Sequence, residues 1–242
     1  TMIGTPCIDW NQIEVSLHPH NSGMGRASAG ERFSNRMEDF DLWFVSSGKG
    51  VLEFNDGSKI PLRRGVVVFF RPGDVVESYH LPGEEIAEVH YFHFDLFHKK
   101  DQKRLTRGAA ELKRFPRHCE VVEVLLFEAC CRRINALRQS EVWRGQFAAS
   151  ARKQASLLFH SLLVEFEMSG HLQESGRISG LDLEHFRQVS ELLSKIYEAP
   201  EKFQNVTDIA RNCGYSSDHY TKIVKSVTGR HLKRIIIDAR ME

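Results

Sequence analysis

Lys222, Lys225, Arg230 and Lys233 lie close together near the end of the 242-residue chain, interleaved with Ser217, Asp218, His219 and Thr221. Cations of this kind meet phosphates, which gives affinity and salt dependence, whereas hydroxyl, amine and imidazole tips reach base edges and give specificity. Lys225, Arg230 and Lys233 are placed for the first task. His219, Thr221 and Lys222 are placed for the second, with Ser217 and Asp218 opening the same segment. The charge is local: residues 217–240 hold six Lys or Arg against two Asp, whereas 181–216 hold four basic and six acidic residues. Over the whole chain 33 basic side chains face 32 acidic ones, a net charge of +1, so no chain-wide field draws in nucleic acid or anionic lipid.

These side chains act together only if a helix turns them outward. Asn205 is a helix cap ahead of Val206, Ile209 and Ala210 at helical spacing, Gly214 supplies a tight turn, and Ser216 or Ser217 caps a second helix. In that second helix Tyr220, Ile223, Val224 and Val227 share one stripe and the polar set shares the other. Helix, short glycine turn and helix is helix-turn-helix spacing, and its polar face would meet DNA; the plainer alternative is an αα-hairpin with a solvated basic face. Upstream, a helical pattern from Phe186 places Val189, Leu193, Ile196 and Tyr197 on one face and stops at Ala199-Pro200. Leu172–Leu181 is polar and glycine-rich and reads as a linker.

The first half has a different texture. From about Glu31 to Leu96, β-branched and aromatic runs (Leu42–Val45, Val51–Asn55, Ile60–Leu62, Val66–Phe70 and Glu85–Leu96) alternate with Gly, Pro and Asp signals, the rhythm of a sandwich or barrel. Asp56-Gly57 marks a hairpin. Strand alternation puts Ile86, Glu88, His90, Phe92 and Phe94 on one face; taken as the interior, that face gives His90 and Phe92 to a pocket. Residues 1–30, rich in Gly, Ser and His, read as an unstructured arm. Glu120–Leu137 and Ala149–Met168 read as helices, the second with a wide apolar stripe (Leu158, Leu162 and Phe166 beside Leu157, Leu163 and Val164) for a partner subunit or for the protein's own sheet. The composition, 41% hydrophobic and 27% charged, fits one large or two small globular domains. Five cysteines without a Cys-x-x-Cys pair read as reduced thiols, no apolar run approaches a membrane span, and the first residues lack a secretory signal, so the expected location is cytoplasmic.

Ile209-Ala210-x3-Gly214-Tyr215-Ser216, then Tyr220-x2-Ile223-Val224-Lys225-x2-Thr228-Gly229, and finally Arg240, resembles the first helix-turn-helix of AraC/XylS-type bacterial transcription regulators. It departs at Tyr220 and Val224, where the family more often has Leu and Phe. Ser-Gly-Lys-Gly (47–50), Pro-Leu-Arg-Arg-Gly (61–65), Arg-Pro-Gly-Asp (71–74) and His90-Tyr91-Phe92-His93-Phe94 resemble that family's cupin-like effector domain. The resemblance implies an α+β protein: a cupin-like jelly-roll β-barrel with following helices over 1–170, a linker over 171–184, and an all-α DNA-binding unit over 185–242 whose second helix-turn-helix is missing. It implies a ligand-responsive DNA-binding regulator, more often an activator; the homodimer expected here rests on the wide apolar stripe of Ala149–Met168. Its effector would be a small molecule such as a sugar, near Arg36, Trp43, Tyr79, His80, His90 and Phe92. With one helix-turn-helix, the chain as it stands would bind an operator weakly or not at all.

A cupin barrel also raises a metal-enzyme reading, built on a His-x-His pair, a Glu and a later His. Between Gly50 and Gly65 there is no histidine. His90 and His93 point to opposite faces of a strand, and His18-Pro-His20 precedes the barrel rhythm, so no metal, no cofactor and no catalysis are expected. A third reading is a non-catalytic association scaffold.

Overall fold

Val66–Phe70 is apolar at every position, so a strand of this sequence needs cover on both faces. The computed structural model, which describes residues 8–26, 32–80, 83–174, 180–203, 205–228 and 230–241, provides it. Its strands are β1 (Ile13–Arg26), β2 (Phe33–Arg36), β3 (Phe40–Ser47), β4 (Lys49–Phe54), β5 (Lys59–Arg63), β6 (Val66–Phe70), β7 (Val75–Tyr79), β8 (Glu88–His98) and β9 (His118–Glu120). They form two antiparallel sheets, ordered β1-β8-β3-β6-β9 and β2-β7-β4-β5. The helices are α1 (Val124–Gln139), α2 (Ala148–Glu174), α3 (Gly180–Glu198), α4 (Val206–Asn212), α5 (Ser217–Thr228) and α6 (Leu232–Ala239). The class is α+β, and the chain divides into Thr1–Arg177 and Ile178–Glu242.

In the first unit the five-stranded sheet is buried on both sides. Phe40, Leu42, Phe44, Val67, Phe69, Phe92 and Phe94 pack under α1 and α2, while Trp43, Val45, Val66, Val68 and Phe70 face Leu52, Phe54, Ile60, Leu62 and Val76 of the other sheet. The apolar stripe of α2 is covered by the protein's own sheet: Phe159 packs on Phe92 and Phe94, and Phe166 on Phe69 and Phe115. Each buried Phe or Leu contributes about 1.5–3 kcal/mol, so most of this face is satisfied without a partner. Leu157 and Met168 stay exposed.

Two expectations need correction. Residues 8–26 of the expected arm are ordered into the fold: β1 pairs with β8 along most of its length, and the Trp10 indole donates to Glu167 at 2.6 Å; residues 1–7 and 27–30 lie outside the described residues. The polar stretch after Gly170 is helical through Glu174 and again from Gly180; residues 175–179 lie outside the described residues.

In the second unit Val189, Leu192, Ile196, Ile209, Ala210, Tyr220, Ile223, Val224, Leu232, Ile235 and Ile236 form one core. Asn205 caps α4 by accepting from Thr207 N (2.8 Å), and Ser216 accepts from His219 N (3.3 Å) at the start of α5. Gly214 at φ +80° breaks the path between the two helices, a conformation that a side chain resists.

Candidate functional site

The pairing of β3 with β8 sets Asp41 opposite His93 and Trp43 opposite Tyr91. These four side chains point away from α1 and α2, into a cavity of about 720 Å³ closed by Phe33, Leu62, Ser78, Tyr79 and His80, with Arg26 and Arg32 also lining it. Phe33, Trp43, Tyr79 and Tyr91 give its wall aromatic faces: Trp43 lies 6.5 Å from the Phe33 ring, and the Arg32 guanidinium sits 5.1 Å above Tyr79. Arg32 also pairs with Glu77, Arg26 with Glu88, and the Tyr79 hydroxyl lies 3.5 Å from both Glu53 and Lys59. Aromatic faces with a few polar tips suit a small organic ligand.

Asp41 is the deepest charged group here. Its carboxylate accepts from the Trp43 indole (2.7 Å) and the Phe92 amide (3.1 Å), and His93 Nε2 lies 3.5 Å away. Burial pushes its pKa up to about 6; the His93 charge and the two hydrogen bonds pull the other way, and Asp39 adds a little to the rise.

Of the side chains expected at a pocket, Trp43, Tyr79 and His80 line this one. His90 and Phe92 do not. They sit on the opposite face of β8: Phe92 lies 5.4 Å from Phe159, and His90 Nδ1 accepts from Asn135 at 3.0 Å while burial lowers its pKa below the ordinary imidazole value. The parity of the strand was right and the choice of face wrong, because the purely apolar Phe92 and Phe94 belong in the drier helix-covered layer. Arg36 is exposed on β2 and outside the lining; Arg26 and Arg32 occupy the place expected of it. Asp41, Tyr91 and His93 were missed, although the polar-tipped aromatics on the alternate positions of β8 were the available signal. Among the described residues no three His, Cys, Asp or Glu side chains group as a metal centre; the His20 side chain lies outside them.

The second candidate surface is α5. Tyr220, Ile223 and Val224 face the core, whereas Asp218, His219, Lys222 and Lys225 are exposed and Ser217 and Thr221 half-buried. Lys222, Lys225 and Lys233 have no ion-pair partner among the described residues. Arg230 differs, since its guanidinium pairs with Asp238, which also holds Arg234 at 2.9 Å. His219 lies flat on Tyr215, ring centroids 5.3 Å apart, which fixes its orientation. Arg240 donates to the Phe203 carbonyl at 2.8 Å and so ties the end of α6 to the loop before α4.

No protein-family model and no curated protein sequence matches the chain. Among solved structures, an apo variant of ToxT from Vibrio cholerae is 10% identical over 93% of this chain and 97% of that one, at a TM-score of 0.38. Wild-type ToxT with unsaturated fatty acid bound is 10% identical over 93% of this chain and 95% of that one, at 0.35. A DUF861 family protein from Thermotoga maritima is 18% identical, covers 32% of this chain and 97% of its own, and scores 0.26. Likenesses of this strength carry no argument about function. Among the described residues no helix is long and apolar enough to cross a membrane.

Proposed function

We propose that this chain is a ligand-responsive DNA-binding regulator, in which α4 and α5 act as a helix-turn-helix and the aromatic cavity of the first unit takes a small metabolite, a sugar or an organic acid. The observation that carries this reading is the division of α5: three large side chains turned into the core, and Lys222 and Lys225 exposed one turn apart with no ion-pair partner among the described residues. Ser217, Asp218, His219 and Thr221 share that surface and would read base edges; Lys225 and Lys233 would hold phosphates. Arg230 enters this set only by releasing Asp238.

The test uses a short fluorescent DNA duplex of random sequence. Binding falls steeply with salt, and Lys222→Glu with Lys225→Glu flattens the log–log salt slope by about 2. Both side chains are exposed, so circular dichroism of the variant stays as in the wild type. An unchanged slope removes the DNA reading.

The cavity is tested by a thermal-shift screen of sugars and organic acids. A true ligand raises the melting temperature of the wild type and leaves that of Trp43→Ala unmoved. Regulation further requires that ligand and DNA change each other's affinity by one factor. If neither DNA nor any small molecule shifts the melting temperature, the association scaffold is the better description.

A further inference from the structure

A file of alternating acids and imidazoles crosses the five-stranded sheet from its β1 edge to the cavity. Arg104 pairs with Asp95 (2.5 Å), and Asp95 meets His18 Nε2 (2.9 Å). His18 Nδ1 meets one oxygen of Asp39 (2.9 Å), and His93 Nδ1 meets the other (2.7 Å). His93 Nε2 then faces Asp41 (3.5 Å), which accepts from Trp43 and Phe92. Among the described residues the other ring against His93 is Tyr91, edge-on at 6.2 Å.

Every imidazole nitrogen in this file faces a carboxylate oxygen. A neutral imidazole carries one N–H and one lone pair, so each ring satisfies both its carboxylates only as an imidazolium. When a ring loses a proton, one contact becomes lone pair against lone pair unless a neighbouring carboxyl takes a proton up. The charge states of the five groups are therefore not independent. The inner groups are also withdrawn from water: Asp39 and Asp41 side chains are 12% and 2% exposed, which strengthens the coupling between them.

The outer imidazole sits at a special point of the backbone. The pairing of β1 with β8 slips between Leu17 and Ser22, so His18 lies where the regular ladder is interrupted. Its two carboxylate contacts tie that segment to the neighbouring strands.

We propose that Asp95–His18–Asp39–His93–Asp41 is a proton-linked latch, in which the charge on the cavity floor at Asp41 and the seating of the β1 segment at His18 are one equilibrium. As a device that answers a ligand it rests on the cavity being a ligand site; as a coupled relay it does not. A ligand that brings a hydrogen-bond donor or a cation to Asp41 favours the ionised carboxylate, holds His93 charged, and so tightens Asp39 on both rings. Burial raises the pKa of Asp41 itself to about 6.

The indole N–H of Trp43, bonded to Asp41, is the reporter. In ¹H–¹⁵N spectra of the ligand-free full chain, its resonance titrates with a midpoint near 6. His18→Asn, at a residue with no hydrogen bond or ion pair to Trp43 or Asp41, moves that midpoint upward by about half a pH unit or more, because a positive charge has left the relay. Arg104→Ala, at an exposed side chain, moves it the same way and decides the matter should His18→Asn not fold. A Trp43 resonance that does not titrate, or midpoints unmoved within error in the folded variants, overturns the latch. The thermal-shift screen reads ligand binding separately, so a failed latch and an empty cavity are distinguishable.

Discussion

Gly48→Ala lowers the stability of the first unit by about 2–5 kcal/mol, toward the upper end of that range. Gly48 sits between β3 and β4 at φ +71°, where any side chain costs about 1–2 kcal/mol. A Cβ there would also lie 2.1 Å from the Ile86 carbonyl oxygen and 2.7 Å from the Ala87 nitrogen. Those obstacles are backbone and cannot rotate aside. They are pinned as well, since Lys49 N donates to the Glu85 carbonyl at 2.8 Å. Making room means displacing the segment just before β8 that carries Ala87, a cavity residue, which is overpacking of the kind that costs about 1–3 kcal/mol. Gly57→Ala is the control: its φ is +81°, but a Cβ meets nothing within 4 Å, so only the conformational cost applies. Urea denaturation of both variants separates the two contributions. Equal losses in the two would mean that no close approach exists at the β3–β4 corner.

How far such features were legible in the sequence varies with what creates them. The Ser-Gly-Lys-Gly turn and the Asp56-Gly57 hairpin are local, and Gly48 and Gly57 take positive φ. Gly214 and its flanking caps are local too. By contrast, β1 contains Pro19 and four glycine or serine positions and shows no strand pattern; its extended form comes from β8, some seventy residues away. Alternation along β8 separates its two faces without saying which lines a cavity: His90, Phe92, Phe94 and Leu96 are buried, whereas Tyr91, His93 and Asp95 are half-buried, and only the polar tips of the second set hint at a cavity. The pairing of Arg230 with Asp238 crosses from the end of α5 to α6, a spacing with no helical periodicity to reveal it. The acid–imidazole file draws on β1, β3, β8 and the residue just before β3, and no stretch of sequence contains more than two of its members close together.

Raising the pH from about 3 to about 8 costs the wild-type protein about 3 kcal/mol through Asp41 alone, and Asp41→Asn removes that loss. The folded carboxyl titrates near 6 against 3.8 for the free group. Below 3.8 both states are protonated and the contribution is fully present. Between the two values the folded protein keeps a proton that the unfolded chain has lost, so stability falls as pH rises, and above 6 the buried anion is carried at full cost. An Asn of the same shape cannot ionise. The stability of Asp41→Asn relative to wild type, measured by urea denaturation across this range, therefore climbs with pH, and a pH-independent difference would show that Asp41 is not held in this way. The climb has a functional corollary. Ionised Asp41 is tolerated at neutral pH only through the Trp43 and Phe92 donors and the His93 charge, so a cavity ligand that adds a donor recovers part of the 3 kcal/mol, and its affinity rises with pH over the same interval.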